Sequence, residues 1–273
     1  MKLEKEKVEK LIEKLKEKGA TEKNPPKHAS YRLSFGGGDL IVYESGSLVY
    51  SGKGREKLKE AVIGELLSLE VNLPKVGCDE AGKGEFFGPL VVACVCADRE
   101  CLRELLSLEV KDSKRMKQEK LIEVGEKIKE KCKGVVRVIY PENYNREYEK
   151  FGNVNRYLEN IYLDVLSKLL KRCKPTEIVI DKFSKRVEEF IREKLRAEGV
   201  KITAKEKGED DPVVAAASVV AKAERLKALK KLSDEIGFEV REGNLNNGEL
   251  LQKIPPEKLH RFVKLHFRVK ERR

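Results

Sequence analysis

Asp79 and Glu80 stand side by side at the end of a short apolar run, and Gly82, Lys83, Gly84 and Gly88 follow. Another acid, Asp181, closes the apolar run Glu177-Ile178-Val179-Ile180-Asp181. A third group, Glu209, Asp210 and Asp211, occupies a charged turn ahead of a helix that opens with small residues. Carboxylates are hard oxygen donors that suit Mg2+ or Mn2+. Three or four of them, brought together, can hold two ions ~3.5–4 Å apart, which activates a water against a phosphodiester and stabilises the leaving oxygen. If the strands ending at Asp79 and Asp181 are parallel neighbours, these acids meet at the carboxyl edge of a sheet, where open α/β sheets place ligands. Each acid also has an ordinary reading. The chain carries 47 acids, and an Asp at a strand end is commonly a solvated turn residue. Acids at 209–211 also suit a helix N-terminus, where the macrodipole favours them. Neighbouring residues of a strand face opposite ways. Asp79 and Glu80 therefore converge only if the strand ends or bends at Glu80, which the following glycines permit.

The stretch from Gly77 to Gly84 nearly fits the phosphate-binding pattern G-x-x-x-x-G-K-[ST]. Gly84 stands where a hydroxyl is needed, and Phe86-Phe87-Gly88-Pro89 prevents a helix from presenting its N-terminus to phosphate. Nucleotide hydrolysis is set aside. Asp112-Ser113-Lys114 offers a hydroxyl and an ammonium that can hold a nucleic-acid phosphate. It reads equally as a capping Ser beside a solvated Lys. Tyr31, Tyr43 and Tyr50 are either stacking platforms for bases or ordinary sheet aromatics.

The elements that must position these residues follow from periodicity. Residues 2–18 place Val8, Leu11, Ile12 and Leu15 on one helical face, and Asn24-Pro25-Pro26 ends that helix. Extended runs at 30–35, 40–44 and 48–50, separated by glycine turns, predict a three-stranded meander. A helix is expected over 55–70. Asn72-Leu73-Pro74 then reads as a linker, dividing the chain into a small module, 1–72, able to fold alone, and a larger unit, 73–273. In the larger unit strands are expected at 75–80, 89–97, 135–140, 177–181 and 200–203. Helices are expected at 99–108, 117–132, 153–173, 187–195 and 213–232, a polar loop at 244–248, and a last helix after Pro255-Pro256. Strands that first run together and then alternate with helices predict a mixed five-stranded sheet with flanking helices, an α/β fold, behind a small α+β module.

The net charge of +11, from 58 basic and 47 acidic residues, suits a polyanionic partner. The module carries 14 basic and 12 acidic residues, so +9 of the surplus lies beyond it. It concentrates at 111–137 and in Lys258, Arg261, Lys264, Arg268, Lys270, Arg272 and Arg273. The wealth of Lys and Glu resembles thermophile composition, where surface ion pairs are dense. Six cysteines without a Cys-x-x-Cys pair, and a charged N-terminus without a signal-type apolar segment, read as reduced thiols in a soluble cytoplasmic protein. No run of ~20 apolar residues is present to span a membrane. The three histidines do not pair with cysteines at zinc-ligand spacing.

The stretch Val76-Gly77-Cys78-Asp79-Glu80-Ala81-Gly82-Lys83-Gly84-Glu85-Phe86-Phe87-Gly88-Pro89-Leu90 resembles the first catalytic motif of the type 2 ribonucleases H. Lys83, where ribonuclease HII has Arg, and the Phe-Gly-Pro continuation point to ribonuclease HIII. The resemblance continues through Asp112-Ser113-Lys114, Ile178-Val179-Ile180-Asp181-Lys182-Phe183, Val214-Ala215-Ala216-Ala217-Ser218 and Leu265-His266-Phe267. The module, with Val42-Tyr43-Glu44-Ser45-Gly46-Ser47-Leu48 and Ser51-Gly52-Lys53, is similar to that family's N-terminal domain, which resembles TATA-binding protein.

The resemblance implies a ribonuclease H fold and a monomer that cuts the RNA strand of RNA/DNA hybrids with Mg2+ or Mn2+, leaving 5′-phosphate and 3′-hydroxyl ends. It implies four catalytic, metal-binding acids: Asp79 between two ions, Glu80 and Asp181 on one or the other, and Glu209 completing the site. Glu209 lies one residue closer to Ser218 than the family spacing, so Asp210 and Asp211 remain alternatives. Gly82, Lys83 and Gly84 would face the 2′-hydroxyls that separate RNA from DNA. Ser113 and Lys114 would contact phosphate, and the module would present its sheet to the hybrid. Two other readings stay open: cutting at single ribonucleotides in duplex DNA, as ribonuclease HII does, and nucleic-acid binding without catalysis.

Overall fold

The period-two and helical patterns sort into two sheets in the computed structural model, which describes residues 3–108, 110, 116–243 and 247–267. The first unit comprises α1 (Lys5–Glu17), β1 (Thr21–Lys23), β2 (Ala29–Phe35), β3 (Gly38–Tyr43), β4 (Leu48–Ser51) and α2 (Arg55–Leu69). Its strands pair antiparallel in the order β1-β2-β3-β4. The meander therefore has one strand more than its sequence predicts. β1 is a short, exposed Thr-Glu-Lys segment without alternation, and only the edge of β2 makes it a strand. Leu33, Leu40, Val42 and Leu48 turn inward against the apolar faces of α1 and α2. Tyr31 stands opposite Val42, and Tyr50 opposite Leu40. Both share that inward face and pack on the core. Of the three tyrosines offered for stacking, only Tyr43 alternates to the other face. That open face carries Arg32 beside Ile41 and Val49, with Asp39 taking Arg32 at 2.6 Å and Lys23 at 3.3 Å.

The second unit comprises β5 (Lys75–Ala81), β6 (Leu90–Ala97), α3 (Arg99–Ser107), α4 (Gln118–Lys131), β7 (Lys133–Ile139), α5 (Pro141–Tyr148), α6 (Val154–Leu170), β8 (Glu177–Asp181), α7 (Val187–Leu195), β9 (Lys201–Lys205), a 3-10 turn (Gly208–Asp210), α8 (Pro212–Ile236), α9 (Asn247–Gln252) and α10 (Leu259–Phe262). Its sheet has the order β7-β6-β5-β8-β9. The first three strands pair antiparallel, and β8 and β9 join in parallel, giving the expected mixed five-stranded sheet. α5 is an addition to the helices expected from periodicity. At the first helical position proline suits a helix start, since its missing N–H is not needed there. The expected polar loop at 244–248 gives way to α9 from Asn247 onward.

Alternation along β5 assigns its faces. Val76 and Cys78 enter the layer of α6 and α7, whereas Ala81 enters the layer of α8, α3 and α4. α8 lies close along β5 because its first turns are small and because residue 77 is glycine. A Cβ at Gly77 would come within 2.6 Å of Val213 O. The apolar core of this layer runs without a break through α3 into α2 and α1.

The expectation of reduced thiols is overturned. The cysteines pair as Cys78–Cys94, Cys96–Cys173 and Cys101–Cys132, and none is free. The partners lie 16, 77 and 31 positions apart and meet only through folding: Cys78 and Cys94 face each other across β5 and β6. Among the described residues no helix is long and apolar enough to cross a membrane.

Candidate active site

The β5–β8 ladder runs from Lys75 opposite Glu177 to Cys78 opposite Ile180 and stops there. Asp79 and Asp181 are the next residues on the two parallel strands, so they share a face and an edge. The β5–β6 ladder continues through Glu80 to Ala81 opposite Val91. The strand therefore neither ends nor bends at Glu80, and the two adjacent acids do face opposite ways. Asp79 looks toward α8, where the Ser218 hydroxyl hydrogen-bonds its carboxylate and Lys222 lies nearby. Glu80 looks toward α6, where the Tyr162 hydroxyl donates to its Oε2. Asp79 and Glu80 thus flank, from opposite faces, the part of β5 beyond the end of the β5–β8 ladder.

Asp181 Oδ1 accepts the amide of Gly208 at 2.7 Å. A Cβ at residue 208 would sit 2.9 Å from the Asp181 Cα, so glycine is what lets this turn reach the strand end. Lys207, in the left-handed region with φ 56°, turns the chain into it. Glu209 is the next residue of that turn, one position past the Gly208 amide that meets Asp181. Asp211 is held elsewhere. Its Oδ1 caps α8 by accepting the Val213 amide at 2.9 Å, and its Oδ2 takes the buried Lys75 ammonium at 2.9 Å. Burial works against its charge, but Lys75 holds the Asp211 carboxyl below its usual value. Asp211 is thus tied to the start of α8 and to Lys75.

Burial, reinforced by the charge of Asp181, raises Asp79 to about 6. Burial and the charge of Asp79 raise Glu80 to about 7, against the Tyr162 hydroxyl and the Lys83 ammonium. Burial and Glu80 raise the Tyr162 phenol well above its ordinary value, so it remains a donor. Desolvated carboxylates that repel one another need positive charge, and an all-oxygen set is the donor chemistry of Mg2+ or Mn2+. As they stand, no three His, Cys, Asp or Glu side chains among the described residues close on one ion position. Each strand acid is engaged by protein donors: Asp79 by the Glu80 amide at 2.7 Å and by the Ser218 hydroxyl, Glu80 by Tyr162, and Asp181 by Gly208. Their mutual repulsion opposes closer approach.

The glycine turn divides its tasks. Gly82 has φ +85°, and a Cβ there would lie 2.5 Å from Pro89 O and overlap Arg225 Nε, so this glycine is needed for packing. A Cβ at Gly84 meets nothing within 4 Å, so close packing does not require this glycine. Lys83 does not extend into solvent: its Nζ donates to Phe183 O at 3.1 Å and lies over the Phe183 ring. That ring packs in turn on Tyr162. Ser113 and Lys114 lie outside the described residues. Sequence reasoning missed Tyr162, because a Tyr on the apolar face of α6 reads as core. Lys264, counted among the basic tail residues, is fully buried and belongs to no surface track.

Fold and site define a ribonuclease H-like α/β nuclease with acids at the carboxyl edge of its central strands, behind a small sheet-bearing module. The family model of ribonuclease HII matches residues 76–270. Ribonuclease HIII of Aquifex aeolicus is 30% identical over 271 residues, 98% of this chain and 99% of that protein. Ribonuclease HIII of Chlamydia caviae is 32% identical over 244 residues, covering 85% of this chain and 81% of its own. The crystal structure of Aquifex aeolicus RNase H3 superposes with a TM-score of 0.62 at 29% identity, over 98% of this chain and 99% of that one. Bst-RNase HIII in complex with Mn2+ shares the fold, with a TM-score of 0.66 at 24% identity, over 98% of this chain and 94% of that one. The chain belongs to the ribonuclease HII family of type 2 ribonucleases H, with its full-length relatives in ribonuclease HIII. It is a metal-dependent ribonuclease, a hydrolase with ribonuclease H activity.

Proposed function

We propose that the protein is an endonuclease that cuts the RNA strand of RNA/DNA hybrids with Mg2+ or Mn2+, leaving 5′-phosphate and 3′-hydroxyl ends. The observation that carries this reading is the placement of Asp79 and Asp181 one step past the end of the β5–β8 ladder, with Glu80 reaching the same edge from the opposite face. Two divalent ions bound there would supply an activated water and neutralise charge on the phosphodiester. Asp79, Glu80, Asp181 and Glu209 would hold them. Tyr162 orients Glu80, and Ser218 orients Asp79. Lys83 fixes the turn against Phe183 and lends positive charge near Glu80. Gly84 offers backbone at close range to the ribose hydroxyls. Ser113 and Lys114 take a phosphate. The module over residues 1–72 binds the hybrid through the open face bearing Arg32, Ile41 and Val49, and residues 73–273 carry out the cut, in a monomer. A Mn2+-bound relative and an all-oxygen acid set both support the choice of ion.

The test is cleavage of two labelled substrates, an RNA/DNA hybrid and a DNA duplex holding one ribonucleotide. The wild type cuts within the RNA of the hybrid, whereas Asp79→Asn and Asp181→Asn bind the hybrid without cutting it. Cleavage confined to the ribonucleotide junction would replace this reading with the ribonuclease HII preference. Near-full activity in either variant would remove the acids from the chemistry.

A further inference from the structure

Glu85, the residue after Gly84, is gripped from three elements remote in sequence. Its carboxylate accepts Arg225 Nη2 of α8 at 2.9 Å and also the amide of Gly243, beyond the end of α8. Its backbone carbonyl accepts the Lys264 ammonium from the C-terminal segment. Arg225 and Lys264 are both 0% exposed. Burial and the nearby charge of Arg225 push the Lys264 ammonium down to about 7, which shows how unfavourable its position is for a charge. Arg225 spans the whole turn. It touches Gly82 at one end, and its Nη2 donates to Phe87 O at 3.2 Å at the other, while Nη1 reaches Glu242 at 3.2 Å.

The C-terminal segment runs as a strap along the far arm of the turn. Its hydrogen bonds are Gly88 N to Phe262 O at 3.0 Å and Lys264 N to Phe86 O at 2.9 Å, with Phe87 and Val263 bridged antiparallel. Asn145 of α5 pins the strap by donating to Val263 O at 2.9 Å and accepting Leu265 N at 2.9 Å. His266 is stacked on Tyr148 at 4.3 Å. An ordinary surface turn could be held by apolar packing, which Phe86 and Phe87 already supply here. Two buried cations on one residue's carboxylate and carbonyl add directional constraint, which apolar packing lacks.

We propose that Arg225 and Lys264 are positioning residues for the substrate. Through Glu85 they set where the backbone of residues 82–84 stands against the RNA strand, and so how sharply the enzyme separates ribose from deoxyribose. The inference rests on the reading that this turn meets the ribose hydroxyls. The mechanism is geometric: without the clamp the backbone at Gly84 loses its fixed distance from the strand edge that bears Asp79 and Glu80.

The full-length enzyme and its Lys264→Met, Lys264→Arg and Arg225→Lys variants are compared on two hybrids. One is all-ribose, and the other has a single 2′-deoxyribose at the cleavage position. In the Lys264→Met and Arg225→Lys variants kcat/KM on the all-ribose hybrid falls roughly 10–100-fold, the scale of a misplaced substrate contact. The loss lies mainly in KM, the Mg2+ concentration for half-maximal rate is unchanged, and the penalty for the deoxyribose shrinks. Lys264→Arg, which keeps a cation, restores part of each. Variants that melt earlier yet keep the wild-type KM and deoxyribose penalty overturn the proposal, because Arg225 and Lys264 would then serve stability alone. If Lys264→Met does not fold, Arg225→Lys, which retains a buried cation, decides by the same readouts. A wild type that shows no deoxyribose penalty removes the ribose-contact reading itself, a result separate from failure of the clamp.

Discussion

At the residue scale, the pair Asp79 and Glu80 is tuned by where each side chain is buried. Their ordinary values of 3.8 and 4.5 rise to about 6 and about 7 in the fold. Folding thus favours the protonated acids. The stability this contributes is fully present below the ordinary values and is lost as pH rises through about 6 and about 7. Metal-free protein in chelator will melt at progressively lower temperature across that window, whereas an Asp79→Asn, Glu80→Gln double variant will change much less there. Added Mg2+ will raise the melting temperature most above the window, where both carboxylates are ionised, and cleavage will rise with pH through it. Thermal melts at a series of pH values check this; a flat wild-type profile would contradict the burial assigned to both acids.

At the element scale, α8 aligns the site. Its N-cap Asp211 is tied to Lys75 at the start of β5, its Ser218 meets Asp79 near the strand's end, and its Arg225 holds the turn beyond. One helix thus reads β5 from base to tip. The contact depends on Gly77. Gly77→Ala drives a methyl group into the backbone at Val213, an overpacking that costs about 1–3 kcal/mol or more. Denaturant unfolding will show the loss of stability. Because the helix carries Ser218, the variant will also need more Mg2+ for half-maximal activity. A Gly77→Ala protein as stable as wild type would mean that α8 does not lie this close to β5. The small-residue opening of α8 was legible in Val213-Val214-Ala215-Ala216-Ala217. Its close approach was not, because a run of alanines does not say which strand it lies on.

At the scale of the whole molecule, covalent and ionic links join segments distant in the chain. Three disulfides connect β5 with β6, β6 with the segment after α6, and α3 with the end of α4. Lys75 binds Glu70, Glu177 and Asp211 in one buried cluster, and Lys7 of α1 reaches the same Glu70. That cluster lines a cavity of about 500 Å3 between the module and the larger unit. Titration of the purified, denatured protein without reductant will find no reactive thiol, and all 6 will appear after reduction. Reduction will lower the melting temperature, because each bridge lost removes the typical ~2–4 kcal/mol of stability. Six free thiols before reduction would restore the reading from cysteine spacing.

The acids at strand ends, the glycine turn beside them and most of the strands and helices were legible in the sequence. These are local facts: a run of β-branched residues ends, a glycine permits a turn, and an apolar residue recurs with the period of its element. The tertiary structure adds that Asp79 and Glu80 keep opposite faces beyond the end of the β5–β8 ladder, which depends on where the neighbouring strand's pairing stops. It also removed Asp211 from the candidates by giving it Lys75, moved Tyr31 and Tyr50 into the core, paired the cysteines and turned Lys264 from a tail charge into a buried clamp. Each of these depends on a partner ten or more residues away, and nothing in local periodicity carries that information.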